Sequence, residues 1–252
     1  MARKRVLALA YECNPKWPSL PAVAYKYALA LGEDVELTLV TQILNKPNLC
    51  EAGIGSVHVD YINIDLLAVP LDRFGKWLRG GNQLGWTTQI AIDFPAYIAF
   101  ELMCWQRYRK RLRRGEFDLV HRISPMTPTL PSPMARLSPV PFVLGPLNGG
   151  LPWPATFKSM EKQEKEWLRP LRALYKKMPF SRSTFRCSAA ILASFDHTAA
   201  DFPPEALAKT IDFPEVGLDE RIFTTVEPRA LSTGPLTVAF IGRFVVDSVH
   251  FC

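Results

Sequence analysis

The chain has 252 residues, of which 48% are hydrophobic and 21% charged, and a net charge of +6. That balance supplies ample apolar material for a core and excludes a disordered, collagenous or low-complexity chain. Its five cysteines are scattered, with no Cys-x-x-Cys and no Cys–His pair at metal spacing, which argues against a disulfide scaffold or zinc module and predicts free thiols in a reducing compartment.

The N-terminus, MARKRVLALAYEC, is basic and then apolar in the manner of a signal peptide. The apolar run covers only Val6 to Tyr11, and Glu12 ends it without a small-residue cleavage site, so it reads as a first strand. A helix over VAYKYALAL follows, with Val23, Tyr27 and Leu31 on one face, Ser19 as N-cap, Pro21 in the first turn and Gly32 at the end. VELTLVT (35–41) and VHVDYINI (57–64) read as strands. The longest apolar stretch, QIAIDFPAYIAFELMCW, is interrupted by Asp93, Pro95 and Glu101, so no segment qualifies as a bilayer span. Pro95 is expected to open a helix with Ile98, Leu102, Trp105 and Leu112 on one face and Gly115 at its end.

That helix ends in RYRKRLRRG, six basic residues between Arg107 and Arg114 with no acid. The run reads either as a solvated helix end or as a patch for anionic lipid or phosphate. FDLVHRI (117–123) is the next strand. A proline-rich stretch and a short helix lead to PFVLG (141–145), where a strand is expected to end at Gly145 and Pro146 to make a turn. Residues 157–178 are helical in pattern, and AAILAS (189–194) and AKTID (208–212) are strands. LTVAFI (236–241) is a further strand, followed by Gly242 and Arg243.

Strands separated by helices predict an α/β fold, a Rossmann-like parallel sheet with helices on both faces, spanning residues 4 to about 205. In such sheets ligands bind at the carboxyl ends of the strands. GPLNGG therefore draws interest, because Gly149 and Gly150 let the backbone approach a ligand closely and paired N–H groups can cradle an anion. A tight turn with glycine for geometry only is the equal alternative. His121, near the end of its strand, is either a base or hydroxyl/phosphate ligand, or a structural residue with one hydrogen bond to a neighbouring loop. Asp196 and His197 are sequence neighbours whose side chains diverge on a helix, so they form no dyad.

Taken together in order, these segments resemble the N-terminal half of a family 4 glycosyltransferase of the GT-B fold. RVLALAYECNPKWPS with VAYKYALAL resembles the first strand, its loop and the first helix. FDLVH with PVPFVLGPLNGG resembles the strand pair and glycine loop near the sugar phosphate. FPEVGLDERIF, through Val216, Gly217, Leu218, Asp219 and Phe223, resembles the interdomain connector. LTVAFIGRF resembles the first strand of the second domain, leading into a Gly-Arg motif.

The resemblance implies an N-terminal acceptor-side domain over 1–205, a connector over 206–234, and a first strand of an incomplete donor-side domain over 235–252. It implies transfer of a glycosyl group from a nucleotide-sugar donor to an acceptor, without metal or other cofactor. Asn148, Gly149, Gly150 and Arg243 would meet the donor phosphate, and Asn14, Lys16 and Ser19 would line the acceptor side. His121 is the candidate catalytic residue. A truncation or frame change after Arg243, and little turnover by the chain alone, are expected. The alternative is a non-catalytic module binding phosphate, sugar or a membrane surface. A cytoplasmic protein is expected, with peripheral anionic-membrane contact through Arg107–Arg114. A dinucleotide oxidoreductase is disfavoured because no Gly-x-Gly-x-x-Gly follows the first strand, and nucleic-acid binding because no recognition motif accompanies the basic run.

Overall fold

The computed structural model describes residues 3–79, 86–149, 178–200 and 202–217. The strands are β1 (Arg5–Ala10), β2 (Glu36–Gln42), β3 (His58–Ile62), β4 (Leu119–Ser124), β5 (Phe142–Leu147), β6 (Ala190–Ala193) and β7 (Thr210–Asp212). The helices are α1 (Leu20–Asp34), α2 (Lys46–Ala52, after a short 3-10 turn), α3 (Asp65–Arg79), α4 (Trp86–Arg113), α5 (Pro133–Leu137), α6 (Ser181–Cys187), α7 (Asp196–Ala199) and α8 (Pro204–Leu207).

The seven strands form one sheet in the order β3-β2-β1-β4-β5-β6-β7, and every neighbouring pair is parallel. This is the Rossmann-like α/β fold. From β1 the chain winds outward to β3, then returns to lay β4 on the other side of β1. The strand order therefore reverses between β1 and β4, where open α/β sheets form their binding crevice.

Alternation along the buried strands builds two cores. Val6, Ala8 and Ala10 of β1 join Leu37 and Leu39 under Ala24 and Ala28 of α1. Leu7 and Leu9 face the opposite way, onto Tyr97, Phe100, Cys104, Tyr108 and Leu112 of α4. Both faces are covered, which explains why β1 reads as a continuous apolar run. The four described cysteines are free thiols, Cys13 and Cys104 buried, Cys50 and Cys187 exposed.

Several boundaries differ from expectation. Helix α1 runs through Gly32 to Asp34. There a β-carbon would lie 2.5 Å from Val57 Cγ2, so Gly32 serves close packing within the last turn. Pro95 lies inside α4. A proline deletes one backbone bond, and the apolar face buried C-terminal to it outweighs that loss. That face follows Tyr97, Phe100, Cys104, Tyr108 and Leu112, whereas Leu102 is exposed. Strand β5 continues past Gly145 and Pro146 to Leu147, because a register shift against β6 pairs Leu144 with Ile191 and Leu147 with Ala193. One extra residue on β5 makes this a bulge that absorbs the proline. The sheet also reaches Asp212, past residue 205, because β7 pairs with β6. The expected helix over 157–178, the strand 236–241, Gly150, Arg243 and the connector from Leu218 on lie outside the described residues.

Candidate functional site at the carboxyl ends of the strands

The loops that leave β1, β4 and β5 are laced together by hydrogen bonds along the carboxyl edge. Ser124 Oγ donates to the Glu12 carbonyl at 2.8 Å, and the Glu12 and Tyr11 amides donate to Ser124 in return. The Asn148 amide donates to the Met126 carbonyl at 2.7 Å. Asn148 Nδ2 then donates to Glu215 Oε1 at 2.6 Å. Asn148 follows β5 and Glu215 follows β7, so their bond spans the end of β6, where Ser194 Oγ is buried without a partner among the described residues.

Asn14 is fully buried. Its Nδ2 donates to Asn45 Oδ1 at 3.3 Å, and its Oδ1 accepts from Asn48 Nδ2 and from the Lys16 amide. Asn45 in turn donates to the Tyr11 carbonyl and to Thr41 Oγ1. The first loop is thus pinned to the turn after β2 by amide side chains. Lys16 Nζ pairs with Glu51 at 2.5 Å on the surface, a contact of small energetic value. Ser19 is the N-cap of α1 with φ +69° and makes no side-chain capping bond. Position and helix start agree with expectation, but the cap is made by its carbonyl, which accepts from Ala22 and Val23.

His121 lies within β4, three residues before its end, and is 5% exposed. Its Nε2 is 2.7 Å from the Gly145 carbonyl. A carbonyl only accepts, so the Nε2–H tautomer donates and Nδ1 carries the lone pair. The ring meets Tyr27 edge-on at 5.5 Å. Burial pushes its pKa down to about 4, opposed by the bond to Gly145, so the imidazole is neutral at physiological pH. It braces β5 at the residue where the glycine segment begins.

The two described glycines of that segment have different duties. At Gly145 (φ +115°) a β-carbon would collide with the Leu192 carbonyl and lie 3.1 Å from Leu192 Cβ. Only glycine fits there. At Gly149 (φ +119°) no atom of the described residues lies within 4 Å of the corresponding position, so among them space opens in front of its backbone. The Gly149 carbonyl is held by Thr198 Oγ1 at 2.6 Å. Gly149 thus combines a positive φ with a flanking residue, Asn148, held through both its amide and its side chain.

Four participants were not singled out from sequence. Glu215 sits in FPEVGLDERIF just after β7, and burial raises its carboxyl pKa, opposed by Asn148. Thr198 and Ser124 carry no sequence signal beyond lying after strands. Arg122 is fully buried on the α4 face of β4. It donates to the Leu130 carbonyl at 2.6 Å and the Thr127 carbonyl at 3.0 Å, which shapes the loop leaving β4. Asn14, Lys16 and Ser19 lie after β1, and Asn148 and Gly149 after β5, with the end of β4 between them.

Among the described residues no group of three or more His, Cys, Asp or Glu could hold a metal ion, and no helix is long and apolar enough to cross a membrane. No protein-family model matches the sequence, and no curated protein matches it. Among solved structures the chain is similar to SsfS6, a glycosyltransferase of Streptomyces sp. SF2575, at 16% identity over 75% of this chain and 50% of that one, with a TM-score of 0.35. It is also similar to CalG4, the calicheamicin glycosyltransferase, at 15% identity over 84% of this chain and 53% of that one, with a TM-score of 0.38. The chain thus spans about half the length of the solved structures it matches.

Proposed function

We propose that this sheet is the acceptor-side half of a nucleotide-sugar-dependent glycosyltransferase, with the donor diphosphate lying against the backbone at Gly149. The observation that carries the reading is the open, positive-φ Gly149 at the carboxyl end of β5, one strand from the switch point between β1 and β4. In glycosyl transfer the bond from the anomeric carbon to the phosphate oxygen breaks, and the nucleoside diphosphate leaves with the electron pair. The acceptor oxygen bonds to that carbon and loses its proton. Charge builds on the leaving diphosphate, so fixed N–H donors aimed at it stabilise the transition state.

In this reading the N–H groups around Gly149 and Gly150 supply such donors, Asn148 holds the segment in place through Glu215, and Arg243 meets the same diphosphate from the second domain. The loop of Asn14, Lys16 and Ser19 forms the acceptor wall. His121 is assigned a positioning role, because its Nε2 is committed to Gly145.

Titration calorimetry with UDP, GDP and dTDP, together with transfer assays on the matching sugar donors, tests the proposal. One diphosphate should bind, and Gly149→Val should weaken it about tenfold or more while circular dichroism stays unchanged. Unchanged binding in the folded variant would show that the segment is only a turn. A second reading, a binding module without turnover, is favoured by the internal commitment of Asn14, His121 and Asn148. It predicts diphosphate binding with no transfer to any acceptor.

A further inference from the structure

The basic end of α4 lies away from this site. Helix α4 feeds into the start of β4, so its C-terminal turns sit at the amino edge of a parallel sheet whose candidate site is at the carboxyl edge. The cations there divide into two groups. Arg107 pairs with Asp60 at 2.7 Å. Arg111 pairs with Glu116 at 2.7 Å and lies over the rings of Tyr108 and Phe117. The remaining nearby acid, Asp118, is taken by Arg5 at 2.8 Å. The side chains of Arg109, Lys110 and Arg114 have no ionic or hydrogen-bonding partner among the described residues, and that of Arg113 only leans over the Trp105 ring at 5.7 Å.

These four cations share their face of the helix with two exposed apolar side chains. Leu102 is 41% exposed and Met103 40%. Leu102, Arg109 and Arg113 follow helical spacing along one stripe, and Met103, Lys110 and Arg114 follow it along the next. The stripe from Leu102 to Arg113 extends about 16 Å along the helix axis. Leu102 and Met103 contribute nothing to either core.

We propose that this face of α4 docks onto an anionic lipid bilayer, with Arg109, Lys110, Arg113 and Arg114 at the headgroups and Leu102 and Met103 entering the acyl boundary. Charge complementarity selects an anionic partner, because Asp60, Glu116 and Asp118 each pair with an arginine other than these four. The apolar pair beside the cations selects a bilayer over a nucleic acid, whose phosphates offer Leu102 and Met103 nothing. A helix lying in the interface with cations beside apolar side chains gains from both terms at once. The surface is independent of the transfer chemistry, and its test does not depend on activity.

Flotation of the full chain with vesicles of phosphatidylcholine alone, or with about one third phosphatidylglycerol, reads the contact directly. Binding should require the anionic lipid and fall steeply with added salt. The triple variant R109E/K110E/R113E should lose about tenfold or more in partitioning, since each cation near an anionic surface contributes several-fold. L102S/M103S should weaken binding while preserving its salt dependence. The charge-matched control K26E/R136E/R186E, built on exposed cations elsewhere, should bind like the parent. Equal binding to neutral vesicles, an equal loss in the control, or tighter retention on a short RNA duplex than on anionic vesicles would overturn the proposal. Circular dichroism of each variant confirms the fold, and the salt titration of the unmodified chain stands without any variant.

Discussion

Arg122 reaches Glu101 through the hydroxyl of Tyr97. Arg122 Nη1 donates to the Tyr97 oxygen at 3.2 Å, and the hydroxyl donates to Glu101 Oε1. All three side chains are buried to 1% exposure or less. Glu101 Oε2 accepts from Ser132 Oγ at 2.6 Å and the Met134 amide at 3.1 Å. Burial raises the Glu101 carboxyl and Arg122 opposes that rise. The chain of bonds ties α4 to β4 and to the segment entering α5, so it holds the loop that leaves β4 at the candidate crevice.

Breaking this chain should be expensive, and unequally so at its members. Tyr97→Phe removes the bridging hydroxyl and leaves buried polar groups short of a partner, a loss of about 1–3 kcal/mol. Arg122→Met leaves Glu101 buried without its cation and should lose about 3–5 kcal/mol. Adding Glu101→Gln to Arg122→Met should restore part of that loss, because the orphaned acid is gone. Urea unfolding of the single and double variants measures the coupling, and simple additivity would contradict the network.

The neutral, buried His121 makes stability depend on pH. Its pKa is about 4 in the folded chain against an ordinary value of 6.5. Between those values the unfolded chain binds a proton that the folded chain refuses, so stability is fully present above about pH 6.5 and falls as the pH drops toward 4. The full loss for such a depression is about 3 kcal/mol. His121→Gln keeps a donor for Gly145 but cannot titrate. Urea midpoints at pH 7, 5.5 and 4.5 should fall less steeply for the variant than for the parent, whatever its starting stability. Parallel slopes would mean that another group governs the acid limb.

The two glycines of the GPLNGG segment should respond differently to the same substitution. Gly145→Ala meets both a positive φ and the Leu192 backbone, so it should lose about 3 kcal/mol or more and disturb the β5–β6 pairing. Gly149→Ala meets the positive φ but no atom of the described residues, so strain alone, about 1–3 kcal/mol, is expected. Thermal unfolding followed by circular dichroism ranks the pair. Equal losses at both positions would show that Gly149 is not facing open space.

Much of this protein was legible one residue at a time. RVLALAY, VELTLVT and FDLVHRI announce strands because β-branched and apolar side chains in short runs suit a sheet covered on both faces, and β1, β2 and β4 fall within two residues of those runs. Their alternation with helical segments fixes a parallel sheet, since parallel neighbours need crossovers. Glycines after a buried strand marked β5 and its exit as the place to look for a ligand. The basic run at the end of α4 was plain in the sequence as well.

What tertiary structure decided are the properties that depend on partners far along the chain. The fate of His121 rests on a carbonyl 24 residues away, and that of Asn148 on a carboxylate 67 residues away. No local pattern encodes either, because the strand order that brings them together is set by packing of the whole sheet. Asn14 looked available in sequence and is consumed by Asn45 and Asn48. Nothing in the local sequence sets Arg122 apart, yet its place on the α4 face of β4 buries it completely. Gly145 and Gly149 are chemically identical letters. Only the bulge of β5 against β6 sets one against the Leu192 carbonyl and leaves the other facing open space.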